Sequence, residues 1–189
     1  MNDIDFAGKQ NIKANVTSAR LESEGGNKTL KNINLKLNGS DRGLIKEVSV
    51  GINNINFESI EIENLGSGIR TGIIAILRGP MQYCNFDNVI INAPKIDYIG
   101  MIGESMSGDL QHITLGNIKC TGGSDLGGWI GAGTGGNINY VEADDITVIG
   151  TGTYVGGIAG QYGNGGTQVT IRNSNVIGKN YVGGLGGNF

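Results

Sequence analysis

The feature that most constrains the fold of this chain is a glycine-containing signature that returns at a nearly fixed interval. Its clearest copies are Tyr154–Gly160 and Tyr181–Gly187, and looser copies lie upstream. The first glycines of the copies are Gly43, Gly72, Gly100, Gly127, Gly156 and Gly183, so the successive intervals are 29, 28, 27, 29 and 27 residues. An interval this regular predicts a solenoid in which each repeat forms one turn of a coil.

A second repeated feature has the same period as the glycines. It is a polar residue followed by an aliphatic one, and the polar members are Asn32, Ser59, Asn88, Asn117, Asp145 and Asn175. Apolar residues alternate with polar ones around these pairs, which predicts strands with one face turned inward. One predicted inward column comprises Ile45, Ile74, Ile102, Trp129, Ile158 and Leu185. The chain is therefore expected to be all-β, a parallel β-helix or β-solenoid of six to seven turns of about 28 residues.

The composition supports strands and turns over the alternatives for a glycine-rich chain. The 35 glycines do not follow the three-residue period of collagen. A hydrophobic content of 38% and a net charge of −3 also differ from those of a disordered chain.

The predicted domain organisation is simple. Residues 1–28 form an irregular lead-in or first turn, and residues 29–189 form the repeats. The last signature runs directly into the C-terminus without a polar capping segment. Because solenoids usually need a cap at an open edge, we expect the repeats to be cut from a longer chain, or to meet a capping partner there.

Charge and hydropathy argue against two classes of partner. A pI near 5.1 without a basic stripe gives no reason to expect nucleic-acid binding. No apolar run approaches the roughly 20 residues of a membrane span, and the first residues do not form a signal peptide. The two cysteines, Cys84 and Cys120, replace core aliphatic residues of neighbouring turns, so we expect buried free thiols.

The glycine column has two alternative explanations at this stage. Either the backbone needs a positive φ at one corner, or the wall is too crowded for a Cβ atom. The polar column is expected to serve a second bend, since Asn and Asp tolerate the left-handed region. Both columns are predicted to be structural.

Catalytic and metal motifs find little support. His112 is the only histidine, which excludes an HExxH site and a metal site built on several histidines. Gly131–Gly136 matches a dinucleotide fingerprint, but a strand pattern follows it where a helix is required. No cofactor is expected.

Carboxylates are the remaining chemical candidates. Glu58, Asp87 and Asp144 are predicted to share an outward column that Gly116 interrupts, with Asp145 beside its end. A cation or an acid–base pair there is an alternative to a solvated acidic face. A lyase would also need a basic residue nearby, and we expect Arg20, Arg42, Arg70 and Arg172 to lie outside that column.

Aromatic side chains supply the candidate binding residues. Tyr83, His112 and Tyr140 are predicted to form one outward column, and we expect it to offer sugars or peptides a flat platform. Tyr154 and Tyr181 belong with Tyr98 to a second partial column, interrupted by Asp125. The alternative is that both sets of rings only cover strand backbone.

The two clear signatures, Tyr154–Gly160 and Tyr181–Gly187, resemble the GLUG motif of bacterial cell-surface proteins. The opening residues 2–8 are similar to a lead-in that precedes such repeats, and residues 26–33 to the stretch that follows it. The resemblance implies a right-handed parallel β-helix in adhesin-like surface proteins, or beside the protease region of immunoglobulin-A-cleaving metallopeptidases. It implies no catalytic residues in the repeats.

Three functional hypotheses follow. The first is a non-catalytic module of a large bacterial surface or secreted protein, which serves as a stalk or as an adhesive surface for a glycan or a host surface protein. The second is a polysaccharide-binding or polysaccharide-cleaving β-helix such as part of a phage tail spike. The third is a spacer beside a protease domain.

Overall fold

The computed structural model describes residues 4–5, 20–22 and 26–188. All regular structure in this part of the chain is β-strand. No helix among these residues is long and apolar enough to cross a membrane. Much of the predicted lead-in lies outside the described residues, but Ile4–Asp5 forms a short strand within it.

The strands form two sheets. The first sheet contains β1 (Ile4–Asp5), β2 (Arg20–Glu22), β3 (Lys28–Leu37), β5 (Gly51–Asn53), β6 (Ile55–Asn64), β8 (Met81–Ala93), β11 (Leu110–Gly122), β14 (Ile138–Gly150) and β17 (Gly166–Ile177). The second contains β4 (Arg42–Val48), β7 (Gly68–Leu77), β9 (Ile96–Ile99), β10 (Ile102–Ser105), β12 (Leu126–Gly127), β13 (Ile130–Gly133), β15 (Val155–Gly156), β16 (Ala159–Tyr162), β18 (Val182–Gly183) and β19 (Gly186–Asn188).

The strand pairs are parallel, and each strand pairs with its equivalent one repeat away. Leu110 of β11, for example, lies opposite Met81 of β8 and Ile138 of β14. Residues about 28 apart therefore lie above one another along the axis, at the spacing of about 4.8 Å between neighbouring strands. This confirms the predicted parallel β-solenoid.

The signature glycines align as predicted. Gly43 pairs with Gly72, and Gly127 pairs with Gly156. Gly156 in turn pairs with Gly183. Gly100 follows Ile99, which pairs with the residues that precede Gly72 and Gly127.

Crowding explains the glycine column. None of these six glycines has a φ in the left-handed region, so a positive-φ corner is not the reason for them. A Cβ on Gly72 would lie 2.6 Å from the carbonyl oxygen of Gly100, and one on Gly127 would lie 2.6 Å from that of Ile158. These oxygens belong to backbone that cannot rotate away, so only glycine fits where adjacent turns approach at the corner.

The corner also explains the small variation in repeat length. Ile99 pairs with Leu126, and Ile102 pairs with Ile130, so the later turn has one more residue between the paired positions. The extra residue is the second of the two consecutive glycines in the later signatures. Consequently the predicted register is wrong after Ile102, because Ile130, Ala159 and Gly186 continue the pairing in place of Trp129, Ile158 and Leu185. Trp129 and Ile158 are nevertheless buried, as predicted.

The core fills the space between the two sheets with aliphatic columns. Trp129, Ile158 and most other inward residues are fully buried, and Phe57 stacks on Phe86 with ring centroids 4.9 Å apart. Cys84 and Cys120 are buried free thiols, as predicted. Inward residues of the last turn are more exposed, since no further strand covers β17 and β19 in the described part of the chain; Leu185 is 47% exposed.

The long strands of the first sheet bend at two points. At each bend two consecutive side chains face outward, and the second residue has a positive φ. One bend is formed by Asn32, Ser59, Asn88, Asn117, Asp145 and Asn173, with φ between 48° and 58°. This confirms a bend at the predicted polar column but corrects its last member, because Asn175 pairs with Thr147 two residues beyond the bend.

Candidate binding site

The predicted aromatic column is a stacked ladder at the other bend. Tyr83, His112 and Tyr140 have φ values of 53°, 54° and 55°. The ring centroids of Tyr83 and His112 are 4.7 Å apart, as are those of His112 and Tyr140, and the ring planes differ by 5° and 2°. The structure therefore brings these three predicted residues together on one exposed edge.

The ladder does not form the expected flat platform. Nearly parallel rings at this separation cover one another's faces, so solvent meets ring edges and the two tyrosine hydroxyl groups. Asn54 and Gln168 occupy the same bend on the turns before and after the ladder. The available chemistry is hydrogen bonding along a line rather than stacking of a ligand on an open ring face.

The backbone at the ladder is strained for its residue types. A positive φ costs an L-residue about 1–2 kcal/mol, and it is unusual for a bulky side chain such as tyrosine. Asn54 shows that an asparagine serves the same bend. The tyrosines are thus not the residues that the backbone alone would select.

Polar side chains lie beside the ladder. Asn85 Nδ2 donates to Asn56 Oδ1 at 3.0 Å, and these two asparagines lie on the outward column next to the ladder. Thr114 and Glu142 occupy this column on the next two turns. A shallow depression of about 520 Å³ is lined by His112, Ile113, Thr114, Tyr140, Glu142, Gln168 and Thr170.

The acidic column is present as predicted, but its ends are basic. Glu58 pairs with Asp87, and Gly116 lies opposite both Asp87 and Asp144. Arg172 lies opposite Asp144, so the expectation that it falls outside this column is wrong. Lys31 occupies the other end, opposite Glu58.

Neighbouring asparagines bond to these carboxylates. Asn117 Nδ2 donates to Asp87 Oδ1 at 2.9 Å, and Asn173 Nδ2 donates to Asp144 Oδ1 at 2.7 Å. The Asp145 backbone N–H also donates to Asp144 Oδ1 at 3.1 Å. The bonds connect successive turns and hold both acids at the surface.

The second aromatic column is also formed, though less regularly. Tyr154 and Tyr181 stack with centroids 5.1 Å apart and planes inclined by 29°. Arg70 pairs with Tyr98 in the same column, and its Cζ lies 6.0 Å from the ring centroid. Asp125 occupies the turn between Tyr98 and Tyr154, since Ile99 N–H donates to its carbonyl and Leu126 N–H donates to that of Tyr154.

Arg70 is the centre of an ion-pair cluster that the sequence did not reveal. Its Nη1 lies 2.8 Å from Asp41 Oδ1, and its Nε donates to Glu104 Oε2. Burial opposes the charge, but the bonds to both carboxylates raise the pKa of Arg70. The repeat register was a usable signal for Arg70, because it precedes Thr71-Gly72 as Tyr98 precedes Ile99-Gly100.

Asp125 has a different environment from the exposed acids. Its side chain is 9% exposed, and its Oδ1 has no hydrogen-bond partner. Burial, together with the charge of Asp97, raises the pKa of Asp125 to about 6. Among the described residues, no group of three or more histidine, cysteine or acidic side chains is arranged to hold a metal ion.

No protein-family model, curated protein or solved structure matches the chain. The resemblance of the two clear signatures to the GLUG motif therefore stays a prediction.

Proposed function

We propose that this chain is a non-catalytic binding module in which a rigid β-solenoid presents the Tyr83–His112–Tyr140 ladder to a glycan. The module is a section of a large bacterial surface or secreted protein and also serves as a stalk. That setting is supported only by the resemblance to the GLUG motif.

The ladder is the observation that carries the proposal. It repeats hydrogen-bonding ring edges at intervals of 4.7 Å along the axis. Two tyrosines occupy a bend where their backbone conformation is costly, and strained residues are concentrated at functional sites. Each feature has a structural alternative, because ring stacking also stabilises neighbouring turns.

The geometry favours a linear ligand that lies along the solenoid axis. The tyrosine hydroxyls donate and accept hydrogen bonds, and Glu142 and Thr114 add an acceptor and a donor on the adjacent column. An extended glycan carries hydroxyl groups along its length and would meet equivalent groups on successive turns. We expect hydrogen bonds to dominate recognition.

A glycan array probed with the purified chain tests the proposal. The variant Tyr83→Phe/Tyr140→Phe keeps both rings, and hence the stack, but removes the two hydroxyls. We expect it to bind hits at least about tenfold more weakly. Thr147→Ala, on an outward column away from the ladder, is the matched control; equal binding by the phenylalanine variant and the control would contradict a role of the ladder.

The acidic column supports a second candidate, polysaccharide cleavage. Gly116 leaves a gap between Asp87 and Asp144, which are two turns or about 9.6 Å apart. This strand spacing lies just above the separation of about 6.5–9.5 Å between the carboxyl groups of inverting glycosidases. However, both acids are exposed, whereas a general acid is usually held in an apolar pocket.

Assays for new reducing or unsaturated ends on bacterial and plant polysaccharides distinguish this candidate. Activity that disappears in Asp87→Asn and Asp144→Asn but persists in Glu63→Gln would favour cleavage. Binding without new chain ends would favour the module proposed above.

A further inference from the structure

The second aromatic column has a gap at the turn where Asp125 stands in place of a ring. Neither the aromatic ladder nor the acidic column accounts for this gap. Arg70, Tyr98, Asp125, Tyr154 and Tyr181 lie on successive turns of one column. Four of the five carry a flat ring or a planar guanidinium. Asp125 is the short side chain among them.

The rings on either side of the gap each have a planar partner on the turn away from Asp125. Arg70 covers the face of Tyr98 on the preceding turn, and Tyr181 covers the face of Tyr154 on the following turn. Tyr98 and Tyr154 lie on the turns before and after Asp125. They are separated by two strand spacings, about 9.6 Å, so a flat group midway would lie about 4.8 Å from each ring.

The floor of the gap is a carboxylate without a counter-charge. Asp125 is 9% exposed, Oδ1 lacks a partner, and its φ is 42°. No salt bridge in the described part of the chain involves Asp125, and the carboxylate of Asp97 adds further negative charge. A buried carboxylate of this kind is stabilised when a cation supplies both charge and hydrogen bonds.

We propose that the gap binds a guanidinium group, which inserts between Tyr98 and Tyr154 and pairs with Asp125. The chain itself contains the same arrangement one step away. The guanidinium of Arg70 lies over Tyr98 while it bonds to Asp41 and Glu104. A guanidinium is planar, donates in a fork that matches a carboxylate, and stacks on aromatic faces, whereas an ammonium is a compact charge that suits a slot less well.

Titration of the full chain with N-acetylarginine amide, followed by amide NMR shifts, tests the site. We expect the largest shifts at Asp125, Leu126 and Tyr154, and weaker binding of N-acetyllysine amide. A five-residue peptide with one central arginine among alanines forms a second arm. Tighter binding of the peptide than of the amide assigns the guanidinium to a protein partner, and equal binding assigns it to a free small molecule.

Two variants distinguish specific recognition from general attraction to an acidic protein. Asp125→Asn keeps a residue that tolerates a positive φ and should weaken binding at least about tenfold. Tyr98→Leu should also weaken it, while Glu63→Gln, at a carboxylate of the first sheet outside both aromatic columns, should leave it unchanged. Three results would each overturn the proposal. They are unchanged affinity in Asp125→Asn, equal affinity for the lysine and arginine amides, and amide shifts confined to the acidic column of Asp87 and Asp144.

Discussion

Neutralising the buried Asp125 should make the isolated chain more stable at neutral pH. The pKa of this carboxyl is raised from 3.8 to about 6, chiefly by burial and next by the charge of Asp97. A difference of about two pKa units, at 1.36 kcal/mol per unit, corresponds to about 3 kcal/mol. Asp125→Asn removes the charge and retains a side chain that tolerates the observed φ of 42°.

The pH dependence follows from the sign of the shift. Below pH 3.8 the carboxyl is protonated in both folded and unfolded chains, so its charge causes no penalty. Between pH 3.8 and about 6 the unfolded chain ionises more readily, and the folded state is progressively destabilised. Above about pH 6 the penalty is complete. The advantage of the variant should therefore rise from near zero at pH 3.5 to at most about 3 kcal/mol at pH 8.

Urea denaturation followed by the fluorescence of Trp129 measures this difference. Trp129 is the only tryptophan in the sequence, and its side chain is fully buried close to Asp125 along the chain. Both proteins are compared at each pH, so the titration of other groups cancels to first order. Glu58→Gln, at an exposed carboxylate, is the control. An advantage of Asp125→Asn that is the same at pH 3.5 and pH 8 would refute the reasoning.

Three further predictions concern the corners and the core. Gly127→Ala should destabilise the chain by at least about 2 kcal/mol, because the added Cβ would overlap backbone oxygens. Gly165→Ala is the control and should change stability by less than about 1 kcal/mol, since no atom lies within 4 Å of the added Cβ. Thermal unfolding compares the two variants. Asn64→Ala should lower the free energy of unfolding by about 2–4 kcal/mol, since the buried Asn64 side chain bonds to the backbone at two positions and to a threonine hydroxyl. Urea denaturation measures this loss, with Asn92→Ala at an exposed asparagine as the control. Equal losses in the two variants would contradict this account. Burial raises the pKa of both cysteine thiols, so a thiol reagent at pH 8 should modify them only after urea unfolds the chain.

Much of the architecture was predictable because equivalent residues of a solenoid recur at the same interval. The period alone places Gly43 above Gly72 and Tyr83 beside His112. It could not choose between a positive φ and crowding at the glycines, because both require the absence of a Cβ. The carbonyl oxygens of adjacent turns decide the matter, and they belong to residues far along the chain.

Local register was less predictable than the period. A single additional residue at the corner moved Trp129 out of the predicted column, and the bend of the last turn lies at Asn173 rather than Asn175. Aliphatic residues occur at adjacent positions in both stretches, so hydrophobic alternation does not distinguish the alternatives. Hydrogen bonds to the neighbouring turn select one of them.

The sequence by itself determined most of the side chains that share a column, because repetition along the chain becomes stacking along the axis. Only the tertiary structure decided how those side chains face their surroundings. It turned the rings of Tyr83, His112 and Tyr140 onto one another, and it left Asp125 buried without a partner between two tyrosines. Ring orientation and burial depend on packing between turns, and no single repeat contains that information.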